Sequence, residues 1–316
     1  MVCEKTSVSE FTSDGVTGVK IENVPLFDVN KIFDCGQCFR FDPVENSRHQ
    51  AEFSGYALDK YISVAQDGEC VYIYNTSIDE YESKWKSYLA ADTDYGQINE
   101  DILSLSDNEN LKSAVKKSSG IRILRQDGWE ALCSFIISQN NNIPRIKKLI
   151  AALCAECDED PEQTARLKEN MGPHMSSVHK NLPGALSPFP SPERVKSLGT
   201  DVLLSLKFGF RAKYLYDTSC RVCDRYIDLE SLYEEDTEKC VEQLCSLRGV
   251  GPKVASCTLL FGFGHLDAFP IDVWIKKVLE KYFDKTFSPS SLGRYAGVAQ
   301  QYLFYYERYL DGDGRA

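Results

Sequence analysis

The chain has 316 residues, of which 43% are apolar and 26% charged, and its formal net charge is −11. This length and apolar content suit two or three packed domains and exclude a disordered or disulfide-stapled chain. The sequence has no run of eighteen apolar residues, and its N-terminus lacks the charged-then-apolar plan of a secretory signal. We therefore expect an intracellular protein without a membrane segment or targeting signal, whose twelve cysteines stay reduced.

The negative charge is unevenly distributed along the chain. Residues 1–120 hold 11 Lys+Arg and 21 Asp+Glu, whereas residues 121–316 hold 25 and 26. A nearly neutral C-terminal part can present a local basic face, because phosphate contacts depend on where the cations stand. The overall acidity therefore does not exclude nucleic-acid binding, and it predicts modest, salt-sensitive non-specific affinity.

Residues 17–90 show the pattern of β-strands. Polar and apolar residues alternate from Gln50 to Ala57 and from Asp59 to Gln66, and Asp67-Gly68 is a tight-turn signal before the next apolar run. This pattern predicts an antiparallel sheet, and we assign residues 1–120 to an N-terminal sheet domain.

From about Asp127 the period of the apolar residues becomes helical. Apolar residues recur at helical spacing from Trp129 to Ile137 and continue in the next run, and the pattern resumes from Pro192 to about Leu310. We assign residues 121–316 to an all-α domain, so the predicted fold class is α+β.

The Pro- and Gly-rich segment 158–195 interrupts the helical pattern and predicts a loop with one short helix. His174 and His179 fall in this segment, and we expect both side chains to be solvated. Residues 311–316 are polar and Gly-rich, which predicts a frayed tail.

A glycine hairpin, Leu247-Arg248-Gly249-Val250-Gly251-Pro252, joins two apolar helical runs. Gly249 and Gly251 allow a chain reversal with positive φ angles. The hairpin amides and the next helix N-terminus then form a site for a phosphate oxygen or a bridging cation. Taken alone, such a hairpin fits an ordinary connection between two packed helices about as well as it fits a phosphate-binding site.

Lys253 and Asp272 follow this hairpin. Lys253 leads the second helix between apolar neighbours. Partial burial would make its lone pair available for attack, whereas a nearby carboxylate would favour the charged amine. Asp272 lies nineteen residues later at a helix start, where an Asp taken alone is an N-cap. Capping and chemistry are compatible, because helix N–H groups hold a carboxylate ionised and fix its direction.

Four further motifs surround the hairpin: Asp34-Cys35-Gly36-Gln37-Cys38-Phe39, Ser138-Gln139-Asn140-Asn141-Asn142, Phe208-Gly209-Phe210-Arg211 and Gln300-Gln301-Tyr302-Leu303-Phe304. In this order, and over residues 17–310, the chain resembles the 8-oxoguanine DNA glycosylases, bifunctional members of the helix-hairpin-helix superfamily. The resemblance implies a helical body of two subdomains after the sheet domain. It also implies base-excision repair of oxidised guanine opposite cytosine in double-stranded DNA.

The resemblance assigns chemical roles to matching residues. Lys253 would attack the sugar C1′ while Asp272 stabilises the developing charge, and the resulting Schiff base would permit strand scission by β-elimination. Gly36 would read the lesion, because its carbonyl accepts the N7 hydrogen that guanine lacks. Three more residues would contact the base: Cys257 and Phe304 on its two faces and Gln300 at its pairing edge.

The resemblance also assigns residues to the DNA. Asn140 would fill the space left by the flipped base, and Phe210 would be the aromatic wedge. Without the other motifs, these two residues would be explained as a polar turn and a core side chain. The remaining assignments are Arg145 and Arg211 to the orphaned cytosine, and Gly249, Val250, Gly251 and Trp274 to the DNA backbone.

Position 274 departs from the family pattern, which often has histidine there. The indole of Trp274 donates one hydrogen bond but carries no charge. The sequence therefore leaves undecided how position 274 contacts a phosphate and which lesions the protein accepts.

Cysteine spacing suggests a rival interpretation. Zinc and redox sites also use C-x-x-C pairs, of which the chain has three: Cys35/Cys38, Cys154/Cys157 and Cys220/Cys223. Their wide separation fits no compact zinc finger, and the four closely spaced cysteines of iron–sulfur relatives are missing after Asp272. We expect no metal site, no cofactor and a monomer.

Two other functions stay open on the sequence alone. A monofunctional glycosylase for alkylated bases would use the aspartate and water and would not need Lys253. A non-catalytic helix-hairpin-helix module would bind DNA and need neither Lys253 nor Asp272.

Overall fold

The computed structural model describes residues 6–158 and 161–311. Within them, an antiparallel six-stranded sheet precedes a body of helices, which confirms the predicted α+β class. The strands lie side by side in the order β1-β2-β6-β5-β4-β3. Their bounds are β1 Ser7–Ser13, β2 Val16–Glu22, β3 Phe41–Pro43, β4 Ala51–Ala57, β5 Lys60–Asp67 and β6 Cys70–Tyr74.

The helices of the N-terminal half are α1 Val29–Phe33, α2 Ile78–Glu80, α3 Lys86–Tyr88, α4 Tyr95–Ser104, α5 Glu109–Ser118, α6 Gly128–Ser138 and α7 Ile143–Glu156. Those of the C-terminal half are α8 Pro161–Asn170, α9 Ser177–Asn181, α10 Pro192–Ser205, α11 Arg211–Cys223, α12 Thr237–Cys245, α13 Pro252–Thr258, α14 Val273–Tyr282 and α15 Ala296–Tyr305. Wider π-helical turns span Tyr81–Trp85, Leu259–Phe263 and Tyr306–Asp311. Asp127 and Ser191 cap α6 and α10, so both predicted helix starts are confirmed. Residues 312–316, most of the predicted frayed tail, lie outside the described residues.

The predicted strands β4, β5 and β6 are confirmed, with Gly68 at a φ of 59° in the turn between the last two. The prediction of strands as far as residue 90 is wrong, because residues 78–88 are helical. Ser77 accepts a hydrogen bond from the backbone N–H of Glu80, whose carboxylate accepts one from the N–H of Ser77. This capping box starts a helix that the prediction missed.

Three clusters of buried side chains hold the fold together. One face of the sheet packs against α1 and residues 81–89, around Trp85 and Ile62. The opposite face packs against Met171, Met175 and Leu186. The largest cluster lies among the helices and includes residues of α4 and α5. The domain boundary at residue 120 stays a prediction.

His174 and His179 are buried, so the prediction that they are solvated is wrong. The His174 ring stacks on Tyr74 with centroids 3.6 Å apart, and His179 hydrogen-bonds the Tyr61 hydroxyl at 2.9 Å. The segment also contains two short helices, α8 and α9, where one was predicted. Its polar composition suggested a loop because the sheet residues that cover both histidines lie far away in the sequence.

Acid should weaken the attachment of this segment to the sheet. Buried Glu52 accepts hydrogen bonds from Ser47 and Ser63 and lies 2.8 Å from His174 Nδ1. Burial by itself raises the pKa of this carboxyl, but the bonds from His174 and the two serines outweigh burial and hold the pKa below its ordinary value. A lowered folded-state pKa stabilises the protein above the unfolded-state pKa, and this stabilisation is lost as the pH falls through the folded-state value.

We therefore expect the free energy of unfolding to decrease as the pH falls below about 4. Glu52→Gln should cost about 1–3 kcal/mol at pH 7 and flatten the acid dependence. Urea unfolding between pH 7 and 3 measures both effects, with Glu100→Gln as an exposed control. An acid dependence of Glu52→Gln that matches the wild type would contradict the assignment.

Candidate active site

The predicted hairpin joins α12 to α13, but its two glycines differ. Gly249 has a φ of 81°, and a Cβ there would overlap the ring of Tyr214. Gly251 does not have the predicted positive φ: it is extended, with a φ of −105°, and it is the N-cap of α13. Among the described residues, no acceptor takes the N–H groups of Gly249 and Gly251.

Val250 packs into the fold. Its side chain is buried, and its N–H donates to the carbonyl of Leu247 at 3.1 Å. Both groups are therefore used within the protein, and the assignment of Val250 to the DNA backbone stays a prediction. The amides that the hairpin can offer to a phosphate are those of the two glycines.

Lys253 lies in the first turn of α13 and is half-buried. Its amine is 5.4 Å from the centroid of the Phe135 ring, which α6 contributes. In the part of the chain that the structure describes, no carboxylate forms an ion pair with this amine. The amine therefore lies over an aromatic face and interacts with the Cys257 thiol.

Asp272 is the N-cap of α14, as predicted. Its Oδ1 accepts a hydrogen bond from the N–H of Ile275 at 2.8 Å, which fixes the direction of the carboxylate. The Cys257 thiol lies within the electrostatic influence of both Asp272 and Lys253. Burial raises the pKa of this thiol, the Lys253 amine opposes the rise, and the Asp272 carboxylate adds to it. Both groups therefore act on the same thiol from nearby positions.

A cavity of about 570 Å³ brings the predicted residues together. Its wall contains Lys253, Asp272, all four residues assigned to the lesion base, Asn140 and Trp274. Volumes of about 300–1,000 Å³ are usual for sites that hold a small organic ligand. The cavity therefore places an amine and a carboxylate beside space for a ligand.

One buried side chain of the cavity presents a hydrogen-bonding atom without a partner in the described part of the chain. Gln300 is only 4% exposed, and its Oε1 has no hydrogen-bond partner among residues 6–158 and 161–311. Gly36 has a φ of 79°, and a Cβ there would face the Phe304 ring at 3.9 Å. A buried polar atom without a partner is costly, so such groups indicate a ligand site.

The residues assigned to the wedge form a continuous surface outside the cavity. The Phe210 ring is 48% exposed, and the Arg211 guanidinium lies 4.4 Å from its centroid. On the other side, Phe210 meets the Tyr214 ring edge-on at 5.7 Å, and Tyr214 covers Gly249. The wedge and the hairpin are therefore one surface.

Arg211 itself is buried and bound to the protein. Its guanidinium donates to the carbonyl of Gln139 and, at 2.8 Å, to that of Asn140. The side chain therefore holds the Asn140 loop, and the assignment of Arg211 to the orphaned cytosine stays a prediction. Arg145 is exposed, with a long contact of 3.4 Å to the Lys207 carbonyl, and can reach a ligand.

Trp274 lies at the mouth of the cavity and is 44% exposed. The Lys277 amine is 5.1 Å from the centroid of its indole ring. The family often has histidine at position 274. Here the Trp274 indole takes that position, and the Lys277 ammonium lies beside it. The pair combines a hydrogen-bond donor with a positive charge.

Comparison with known proteins agrees with this geometry. Residues 19–132 match the family model of the N-terminal domain of 8-oxoguanine DNA glycosylase. The chain is 35% identical to MBOgg1, solved with a low-affinity DNA ligand, and covers 100% of that protein with 98% of its own length at a TM-score of 0.81. The chain belongs to the 8-oxoguanine DNA glycosylase family.

Two further members of this family show how far the likeness extends. The Clostridium acetobutylicum 8-oxoguanine glycosylase/lyase, solved with double-stranded DNA containing cytosine opposite 8-oxoguanine, is 34% identical over 95% of this chain and 97% of that protein, at a TM-score of 0.79. The Saccharomyces cerevisiae N-glycosylase/DNA lyase is 32% identical over 59% of this chain and 49% of that protein. The chain thus spans about half the length of the first curated relatives that it matches.

Several residues of the cavity were not predicted. Phe135 directs Lys253, Arg308 lies 5.7 Å from the Phe304 ring centroid, and Gln301 donates to the Cys35 carbonyl at 2.9 Å. Phe135 belongs to an apolar stripe and carried no distinguishing signal. Gln301 lies within the motif Gln300 to Phe304. A polar side chain in this mostly apolar helix was the signal that could have identified it. Among the described residues, no three His, Cys, Asp or Glu side chains are placed to share a metal ion.

Proposed function

We propose that this protein excises 8-oxoguanine from double-stranded DNA and then cuts the strand at the abasic site. The observation that carries the proposal is the convergence of the Lys253 amine and the Asp272 carboxylate on one cavity, beside the unpartnered Gln300 oxygen. Family membership supports the same activity. A lesion base that is flipped out of the duplex fits this cavity because unstacking makes its glycosidic bond accessible.

Lys253 is the nucleophile. Its neutral amine forms a bond to C1′ while the bond from C1′ to the base breaks, and the base leaves with the electron pair and a proton. Opening of the sugar ring then produces a Schiff base. Loss of a proton from C2′ expels the 3′-phosphate, which is the strand cut. The Phe135 ring and partial burial hold the amine in place for the first step.

Asp272 stabilises the positive charge that develops on the sugar and assists proton movement. Its N-cap bond from the N–H of Ile275 keeps the carboxylate directed through both steps. A non-catalytic module would gain nothing from this charge in a cavity, and a monofunctional glycosylase would gain nothing from Lys253. The pair therefore favours the bifunctional enzyme over both alternatives.

Lesion recognition depends on Gly36, Cys257, Gln300 and Phe304. The Gly36 carbonyl accepts the N7 hydrogen of 8-oxoguanine, whereas guanine would present a lone pair to the same oxygen. Gln300 meets the pairing edge of the base, and Phe304 and Cys257 cover its faces. Asn140 and Phe210 occupy the stack that the base has left.

The proposal also covers the compartment, the oligomeric state and the ligands of the protein. The protein acts inside the cell as a monomer on duplex DNA, without a cofactor, and a phosphate or a bridging cation binds at the hairpin. Among the described residues, no helix is long and apolar enough to cross a bilayer.

A strand-cleavage assay tests the function. With 8-oxoguanine opposite cytosine, we expect a cut without added alkali, and no cut with guanine at the same position. A hypoxanthine duplex distinguishes the alternatives: an alkylated-base glycosylase would release this base and leave a strand that breaks only in alkali. Binding to all three duplexes without any release would indicate the non-catalytic module.

A further inference from the structure

The loop Asp34 to Cys38, between α1 and β3, must hold the Gly36 carbonyl in one direction. The loop belongs to neither a helix nor a strand, and Gly36 has a positive φ of 79°. Buried backbone groups need partners, and here the regular ladders of secondary structure supply none. Side chains from elsewhere in the fold must therefore orient the peptide groups.

Two glutamines take the carbonyls on either side of Gly36. Gln301 Nε2 donates to the Cys35 carbonyl at 2.9 Å, and Gln126 Nε2 donates to the Gln37 carbonyl at 2.8 Å. The Gly36 carbonyl between them has no donor among the described residues. The Gly36 carbonyl is therefore left for a ligand, while the hydrogen bonds to the Cys35 and Gln37 carbonyls hold the peptide planes on either side.

Gln301 also connects this loop to the base-contacting helix. It is 3% exposed and lies on α15 next to Gln300, one turn before Phe304. Its hydrogen bond therefore sets the distance between the Gly36 carbonyl and the groups that contact the base edge and face. We propose that Gln301 is a positioning residue for recognition of 8-oxoguanine by the Gly36 carbonyl, an inference that rests on the proposed function.

The role of Gln301 concerns base recognition only. Excision requires the Gly36 carbonyl to meet the lesion, and a misdirected acceptor loses about one hydrogen bond, or roughly tenfold in rate. Cleavage of a preformed abasic site requires Lys253 but no base. A residue that merely stabilises the fold would affect both reactions, whereas a positioning residue affects the first.

The test compares Gln301→Met with the wild type in single-turnover excision of 8-oxoguanine and in cleavage of an abasic duplex. Methionine retains the length of the side chain and removes the donor. We expect excision to slow about tenfold or more, with abasic-site cleavage within about twofold. Gln66→Met is the matched control, because Gln66 Nε2 donates to the Phe27 carbonyl at 2.7 Å outside the cavity. Both of its rates should equal the wild-type values.

Equal loss of both reactions, or unchanged excision, would overturn the positioning role. If Gln301→Met melts too early for assay, Gln301→Asn carries the same comparison with a smaller polar side chain that is too short for the bond. Wild-type protein that cuts abasic DNA but releases no 8-oxoguanine would instead contradict the proposed function, so the two failures are distinguishable.

Discussion

Lys253→Gln is expected to abolish covalent trapping on 8-oxoguanine DNA by borohydride and to slow excision at least on the order of 10³-fold. Borohydride reduces the Schiff base, so trapping reports the bond between the amine and C1′ directly. Glutamine retains most of the side-chain length but has no nucleophilic nitrogen. Because the amine lies in the cavity and forms no ion pair with any described residue, its loss should leave folding and duplex binding nearly intact.

A gel assay with borohydride and a thermal melt test this expectation together. Lys116→Gln is the matched control, since Lys116 is exposed on α5 and does not line the cavity. It should trap DNA like the wild type. Robust trapping by Lys253→Gln would show that another amine attacks the sugar, and the proposed nucleophile would have to be abandoned.

Asp272→Asn is expected to slow excision on the order of 10²- to 10³-fold while DNA affinity and melting temperature change little. Asparagine is as good an N-cap as aspartate, so the bond to the N–H of Ile275 and the start of α14 should persist. The negative charge that faces the developing cation is lost. The variant thus separates the chemical role from the structural role, and single-turnover kinetics with a binding titration measure both.

Asp94→Asn provides the comparison for Asp272→Asn. Asp94 caps α4 by accepting from the N–H of Gln97 at 3.0 Å, and it lies outside the cavity. Its substitution changes the same group at another helix start and should leave excision unchanged. If Asp272→Asn excises at the wild-type rate, Asp272 is an N-cap only.

Local elements could be predicted because each depends on neighbours in the chain. Asp127 and Ser191 start helices by accepting hydrogen bonds from N–H groups three residues later, and β4 and β5 pair as a single hairpin. The error at residues 78–88 concerns a local signal that was present. There, a capping box follows β6, and Ile78, Tyr81 and Trp85 recur at helical spacing.

The candidate site was predictable in part. The chemistry of Lys253 and Asp272 and the order of the surrounding motifs indicated the residues that line the cavity. Arg211 illustrates the limit, because its sequence position suggested a ligand contact, whereas packing directs its guanidinium to the Gln139 and Asn140 carbonyls. Val250 shows the same limit in the hairpin, where a turn within the chain uses its N–H.

The amino-acid order by itself determined the α+β class, the helix starts, the hairpin and the family, since these follow from short-range spacing and motif order. Only the tertiary structure decided that His174 is buried and that Gln301 directs the Gly36 loop. Gln301 and Cys35 are 266 residues apart, and their bond depends on how α15 packs against the loop. Periodicity reports which face of an element is apolar, but it does not report which distant group a buried polar atom will meet.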